Sequence, residues 1–175
     1  MSNNTTSANN EFIIQFSGLK LGHHQFDFDL NESFYSDFES SVIDGLELKA
    51  VASLRKTETF LEWEFSIDGK AKVACDRCGD EMEIELNNTM KLVVKFGEEH
   101  AELSEELIVI PHEAYEFDIA PYVLECIESS LPLKIEHEDI NDCNQEAIDR
   151  LEQYSYKEEQ VDPRWGNLQD LKNKK

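Results

Sequence analysis

"LELKAVASLRK" (46–56) and "TFLEWEFSID" (59–68) decide the fold, because in both runs apolar residues fall at every second position. Leu46, Leu48, Ala50, Ala52 and Leu54 alternate with polar partners, as do Leu61, Trp63, Phe65 and Ile67. A period of two belongs to a strand with one face buried. Asp68-Gly69 then predicts a hairpin turn, and "AKVA" (71–74) leads into "CDRCGD" (75–80). Alternation resumes through Met82, Ile84 and Leu86, and "NNTMKLVVKF" (87–96) closes the run. Four or five consecutive antiparallel strands with short turns predict an α+β protein built on an antiparallel β-meander, as a curved sheet or small barrel.

The flanks extend this pattern. "FIIQFSGL" (12–19) predicts a first strand, and "HHQFDFDL" (23–30) a second, alternating Phe26, Phe28 and Leu30 with Gln25, Asp27 and Asp29. Phe34, Tyr35 and Phe38 have the spacing of a short helix or turn. "ELIVIP" (106–111) is one more strand, and "FDIAPYVLECIESSLPL" (117–133) a helix with Asp118 as N-cap and Pro121 in its first turn. Cys126 shares the apolar stripe of that helix with Ile119, Val123, Ile127 and Leu131, which suits a small buried hydrophobe. A short acidic helix is expected over 144–153. Three segments result: a disordered tail (1–10), a single α+β domain (11–158), and a C-terminal amphipathic helix with a basic tail (159–175). Asp162 is placed to cap that last helix, Pro163 to open it, and Lys172, Lys174 and Lys175 to form a basic patch.

At 175 residues the chain is about one domain long. Its net charge of −22 is concentrated: residues 98–149 carry sixteen acids against one base, Lys134. Such a field repels nucleic-acid backbones and favours basic partners. The plain alternative is that acidity serves solubility. No run approaches the ~20 apolar residues of a membrane helix. The polar start "MSNNTTSANNE" has no secretory signal, so Cys75, Cys78, Cys126 and Cys143 are expected as cytoplasmic thiols or ligands.

Cys75 and Cys78 support three chemistries. A C-x-x-C-G turn between strands suits a zinc knuckle, with Gly79 tolerating positive φ so that backbone N–H groups reach the thiolates. Tetrahedral closure needs two further ligands, and His137 and Cys143 of "HEDINDC" (137–143) are the best completion. A redox dithiol is disfavoured, because Asp76, Asp80 and Glu81 surround the pair and a strand rather than a helix follows it. The third choice is a tight turn holding reduced cysteines, packed or bound to a partner. His23 and His24 sit on a predicted strand edge, as solvent-facing side chains. No glycine-rich phosphate loop, H-E-x-x-H, G-x-S-x-G or EF-hand spacing occurs, and no catalytic residue is assigned.

Two separated motifs carry a resemblance over roughly residues 15–172. Cys75, Arg77 and Cys78 form a C-x-R-C pattern at the end of a β run. Asp162, Pro163, Arg164 and Trp165 open the closing "DPRW..L..L" segment, and "LPLK" (131–134) ends the helix between them. Together they resemble the YceD family of bacterial and plastid proteins, linked to accumulation or processing of large-subunit (23S) ribosomal RNA. The chain departs from many members in carrying Gly79 where they have leucine, and has the single Cys143 where some have several cysteines.

The resemblance implies a non-enzymatic cytoplasmic factor in large-subunit ribosome assembly. Charge adds an expected mechanism: protein–protein contact through the acidic face with a basic ribosomal protein or an rRNA-processing factor. RNA contact would be indirect or confined to the basic C-terminal tail. Cys75, Arg77, Cys78 and Asp162 to Trp165 are the expected recognition motif, with no cofactor or one structural zinc ion. The alternative is a zinc-stabilised or thiol-based interaction module without a ribosomal role.

Overall fold

The computed structural model describes residues 10–36, 38 and 42–155. The predicted tail over 1–10, apart from Asn10, and the expected helix over 159–175 with Asp162, Pro163, Arg164 and Trp165 lie outside these residues.

Alternating hydrophobicity produces long strands. After β1 (Ile13–Ile14), the strands β2 (Gly22–Asn31), β3 (Ile43–Lys56), β4 (Phe60–Ala74) and β5 (Glu81–Gly97) pair antiparallel in succession. A short helix α1 (Glu32–Ser36) sits between β2 and β3 and buries Phe34 and Tyr35. Beyond β5 come β6 (Ala101–Ser104), β7 (Leu107–Pro111), β8 (Phe117–Asp118), α2 (Ala120–Glu128) and α3 (Gln145–Tyr154). The α+β class and the C-terminal placement of the helices follow expectation.

The meander is purely antiparallel only as far as β5. The main sheet has the order β2-β3-β4-β5-β7-β6. The chain leaves β5, runs back as β6 at the outer edge, and returns as β7 into the gap. There β7 pairs parallel to β5 from Val93↔Leu107 to Gly97↔Pro111. The sheet is therefore mixed. It is also open, with β2 and β6 at its edges, so the expected small barrel is corrected. Closure is unnecessary because other layers cover the apolar face. α2 buries Ala120, Val123, Cys126 and Ile127. The β1–β8 pair and its neighbours contribute Phe12, Phe117 and Ile119. Trp63, at the centre of this core, lies 5.8 Å from the Phe65 ring and 6.2 Å from that of Phe117.

Asp68-Gly69 is not a turn. β4 runs unbroken through it, with Gly69 paired to Leu48 on one side and Leu86 on the other. A Cβ there would stand 2.3 Å from the Glu47 carbonyl oxygen and 2.9 Å from Leu48 Cα. Glycine is thus present because a neighbouring backbone approaches closely, with φ at +152°. β5 runs unbroken from the alternation over 82–86 through "NNTMKLVVKF". "FIIQFSGL" is mostly not strand: only Ile13–Ile14 pairs, and a 3₁₀ turn follows at Phe16–Gly18. Lys56 Nζ ties that turn down by donating to the carbonyls of Phe16 (2.7 Å) and Leu19 (2.8 Å).

The N-cap of α2 is Ile119 and not Asp118 as expected; Asp118, one residue earlier, still takes up a free helix donor, its Oδ1 accepting from the Ala120 N–H at 2.9 Å. The helix stops at Glu128, short of Leu133. Asn88 Nδ2 takes up the Cys126 carbonyl at its C-terminal end, at 3.0 Å. On the opposite, polar face of the sheet, Arg55–Glu62, Lys70–Glu83, Lys72–Glu81 and Lys91–Glu64 pair across strands. Four of the chain's sixteen lysines and arginines are used there. Among the described residues no helix is long and apolar enough to cross a membrane.

Candidate metal centre

The knuckle is the tip of the β4–β5 hairpin. The Cys75 N–H donates to the Asp80 carbonyl (2.9 Å) and the Gly79 N–H to the Cys75 carbonyl (2.8 Å), closing a tight loop. Gly79 takes φ +80°, the left-handed conformation expected of it. Nothing lies within 4 Å of a Cβ built there, so the requirement is one of backbone conformation and not of space.

The C-terminal segment crosses this tip. The Asp76 N–H donates to the Ile135 carbonyl at 2.7 Å, and Asp76 Oδ2 accepts from the Ile135 N–H at 2.8 Å. That pairing delivers His137 to the knuckle. Asp139 then caps the 3₁₀ turn Ile140–Asp142, which ends at Cys143. Asn144 caps α3 by accepting from the N–H groups of Glu146 (3.1 Å) and Ala147 (3.3 Å). α3 turns Ile148 inward, where it packs with Cys75 and Cys143 in a small second core flanked by Cys78 and Met82.

The result brings Cys75, Cys78, His137 and Cys143 together, with ligand atoms all within 4.8 Å of one another. His137 Nδ1 lies 3.7 Å from Cys78 Sγ and 3.5 Å from Cys143 Sγ. Tetrahedral zinc with Zn–S bonds of ~2.3 Å separates its ligand atoms by about 3.8 Å. Inward adjustment of about 1 Å or less closes the set. Four residues drawn from two distant stretches thus lie close enough to bind a metal, and they are the four expected from the sequence.

The electrostatics suit a cation. Burial pushes the Cys75 thiol up, but N–H groups of His137, Cys78 and Arg77 aimed at its sulfur, with the Cys78 thiol, bring it down to about 6. The surrounding carboxylates therefore do not dominate this thiol, contrary to the argument from composition. Burial holds the Cys143 thiol above its ordinary value, reinforced by Cys78 and Cys75 and opposed by Arg77. Three sulfurs this close cannot all ionise without a positive charge among them.

Arg77, between the two knuckle cysteines, points its guanidinium into the cluster. Nη1 lies 3.7 Å from Cys143 Sγ, and Nη2 pairs with Glu136 Oε2. Glu136 Oε1 accepts from Lys134 Nζ at 2.7 Å. Lys134 foremost, and Arg77 against some loss of solvation, hold the Glu136 carboxyl below the usual range. Sequence reasoning missed Asp76, Glu136 and Ile148. Each depends on the register in which 134–148 crosses the hairpin, for which no spacing rule exists. Cys126 stands apart: it is fully buried in the main core, and burial pushes its thiol up to about 11. His23 is exposed and His24 half-buried on edge strand β2, with His24 Nε2 hydrogen-bonded to the Lys20 carbonyl at 2.8 Å.

A second surface lies between β6 and α2. A groove of about 480 Å³ is lined by Glu102, Leu103, Glu105, Pro121, Tyr122 and Glu125, among others. Leu103 is 63% exposed. Burial, then Glu102, Glu125 and Asp118, push the Tyr122 hydroxyl up, a local sign of the negative field.

Residues 63–172 match the family model described as "Large ribosomal RNA subunit accumulation protein YceD". No curated protein and no solved structure matches the chain. The match takes in the knuckle, the crossing segment and the region of the Asp-Pro-Arg-Trp motif, so the C-x-R-C resemblance is sound: the chain belongs to the YceD family.

Proposed function

We propose that this chain is a non-enzymatic factor for accumulation of large-subunit (23S) ribosomal RNA, working by protein–protein contact. Family membership carries the ribosomal part, since the family is named for that role. The acidic surface supports the mechanism. The groove between β6 and α2 combines the carboxylates of Glu102, Glu105 and Glu125 with the apolar surface of Leu103 and Tyr122. That combination suits the aliphatic stem and charged head of lysine or arginine in a basic protein segment. Phosphate backbones are repelled by the same field.

Depletion in cells is expected to lower 23S relative to 16S rRNA; unchanged ribosome profiles would sink the ribosomal role. Affinity recovery from lysate separates the mechanisms. Ribosomal proteins retained after nuclease, and lost from a Glu102→Lys/Glu125→Lys variant, support contact through the groove. Recovery abolished by nuclease would instead mean tethering through RNA.

The cysteine–histidine cluster supports a second element, a structural zinc ion held by Cys75, Cys78, His137 and Cys143. Three sulfurs and one imidazole nitrogen in a closed, half-buried set are a zinc donor set, with no open position for a substrate. Such a site would clasp the segment 134–148 to the hairpin tip and help fold this small core. Metal analysis of purified protein is expected to give one zinc per chain, lost on Cys75→Ser. A content below about a tenth of an equivalent after reconstitution would remove the zinc and leave a thiol cluster.

A further inference from the structure

We infer that Arg77 is an outer-sphere part of this centre, where it neutralises the metal–thiolate cluster and positions the Cys143 sulfur; the inference rests on the zinc assignment above. Three thiolates, a neutral imidazole and Zn²⁺ sum to one negative charge. The Arg77 guanidinium is a compensating charge within reach, and Lys134 offsets the Glu136 carboxylate that shares it. Nη1 stands 3.7 Å from Cys143 Sγ, the distance of an N–H···S contact. Its other terminal nitrogen, Nη2, pairs with Glu136.

The fork therefore touches the crossing segment twice, at Glu136 and Cys143, from a backbone position fixed between ligands Cys75 and Cys78. Lys134 holds the far oxygen of Glu136 at 2.7 Å, which fixes the carboxylate that orients the guanidinium. Outer-shell donors of this kind orient ligands and set metal affinity. Cys143 benefits most. It is the ligand farthest along the chain and the one whose sulfur the guanidinium touches. Only a planar fork with several donors serves both contacts, which accounts for arginine in the C-x-R-C position.

The alternative is that Arg77 is a recognition residue aimed at a partner. Its engagement with Glu136 and Cys143, and a side chain only 25% exposed, speak against that. The full-length wild type, Arg77→Met and Arg77→Lys are compared by zinc competition against a chromophoric chelator and by spectra of the cobalt(II) forms. Arg77→Met is expected to bind zinc roughly 10- to 100-fold more weakly. Its cobalt spectrum should keep the three-thiolate charge-transfer intensity, because all four ligands remain.

Arg77→Lys keeps the charge without the fork and should fall between the two. Far-ultraviolet circular dichroism of the metal-free forms should be the same for all three, which a general loss of folding would not allow. Wild-type affinity in Arg77→Met, or a lysine variant no better than methionine, overturns the inference. Failure of the wild type to bind zinc would overturn the zinc assignment itself, a different result.

Discussion

Asp76 and Ile135, 59 residues apart, exchange two hydrogen bonds: backbone N–H to carbonyl at 2.7 Å, and Ile135 N–H to the Asp76 carboxylate at 2.8 Å. The first survives any substitution except proline. The second depends on the side chain. Asp76→Ala is expected to cost about 1 kcal/mol, the usual net worth of a hydrogen bond at a partly exposed site. Urea unfolding with zinc present measures it, and no loss would show that Asp76 does not help dock the crossing segment.

Gly69 and Gly79 both have positive φ but differ in surroundings, which makes them a matched test. Gly79→Ala faces open space and should cost about 1–2 kcal/mol from backbone conformation alone. Gly69→Ala adds a Cβ 2.3 Å from the Glu47 carbonyl oxygen, and β3 must shift. A loss of roughly 3 kcal/mol or more is expected there. Thermal unfolding of the two variants should rank them in that order; equal midpoints would contradict the close approach of β3 to β4.

Trp63 is fully buried, and its indole Nε1 is unpartnered among the described residues. Trp63→Phe removes that unsatisfied donor while keeping most of the ring contact with Phe65 and Phe117. The two effects oppose each other, so the net cost should stay below about 1.5 kcal/mol, against about 3–5 for Trp63→Ala. A phenylalanine variant as unstable as the alanine one would mean that the indole N–H has a role.

Burial raises the Cys126 thiol from 9.0 to about 11, so folding favours its protonated form. The sign follows from linkage. The stabilisation is complete below the unfolded value near 9 and is lost as pH rises towards 11, where the unfolded chain ionises first. Stability should therefore fall across that window, and Cys126→Ala should flatten part of the decline. Native protein should also resist alkylation at Cys126 at pH 8 while denatured protein reacts. Rapid labelling of the native thiol would contradict its enclosure.

Where side chains alternate over a half-buried face, the fold was legible. Phe26, Phe28 and Leu30 in β2, and Leu61 to Ile67 in β4, lie as their spacing says. Local chemistry misled at Asp68-Gly69, where a turn dipeptide sits inside a strand because the next backbone comes too close for any Cβ. The parallel insertion of β7 was not legible, since parallel and antiparallel partners share one alternation and differ only in how the chain returns. His137 and Cys143 could be named from donor chemistry and loop length. Glu136 could not, because its role comes from where Arg77 happens to reach.

The long hairpins and the clasp at their tip have a kinetic meaning. β2 to β5 pair each strand with its sequence neighbour, so the sheet can grow outward through short loop closures. The union of 75–78 with 137–143 joins chain segments about sixty residues apart and scores a late event. If the clasp forms after the rate-limiting step, added zinc will slow unfolding and leave the refolding rate unchanged. Stopped-flow traces with and without chelator would show this as movement of the unfolding limb alone. The metal would then act less as a seed for the fold than as a latch against its opening.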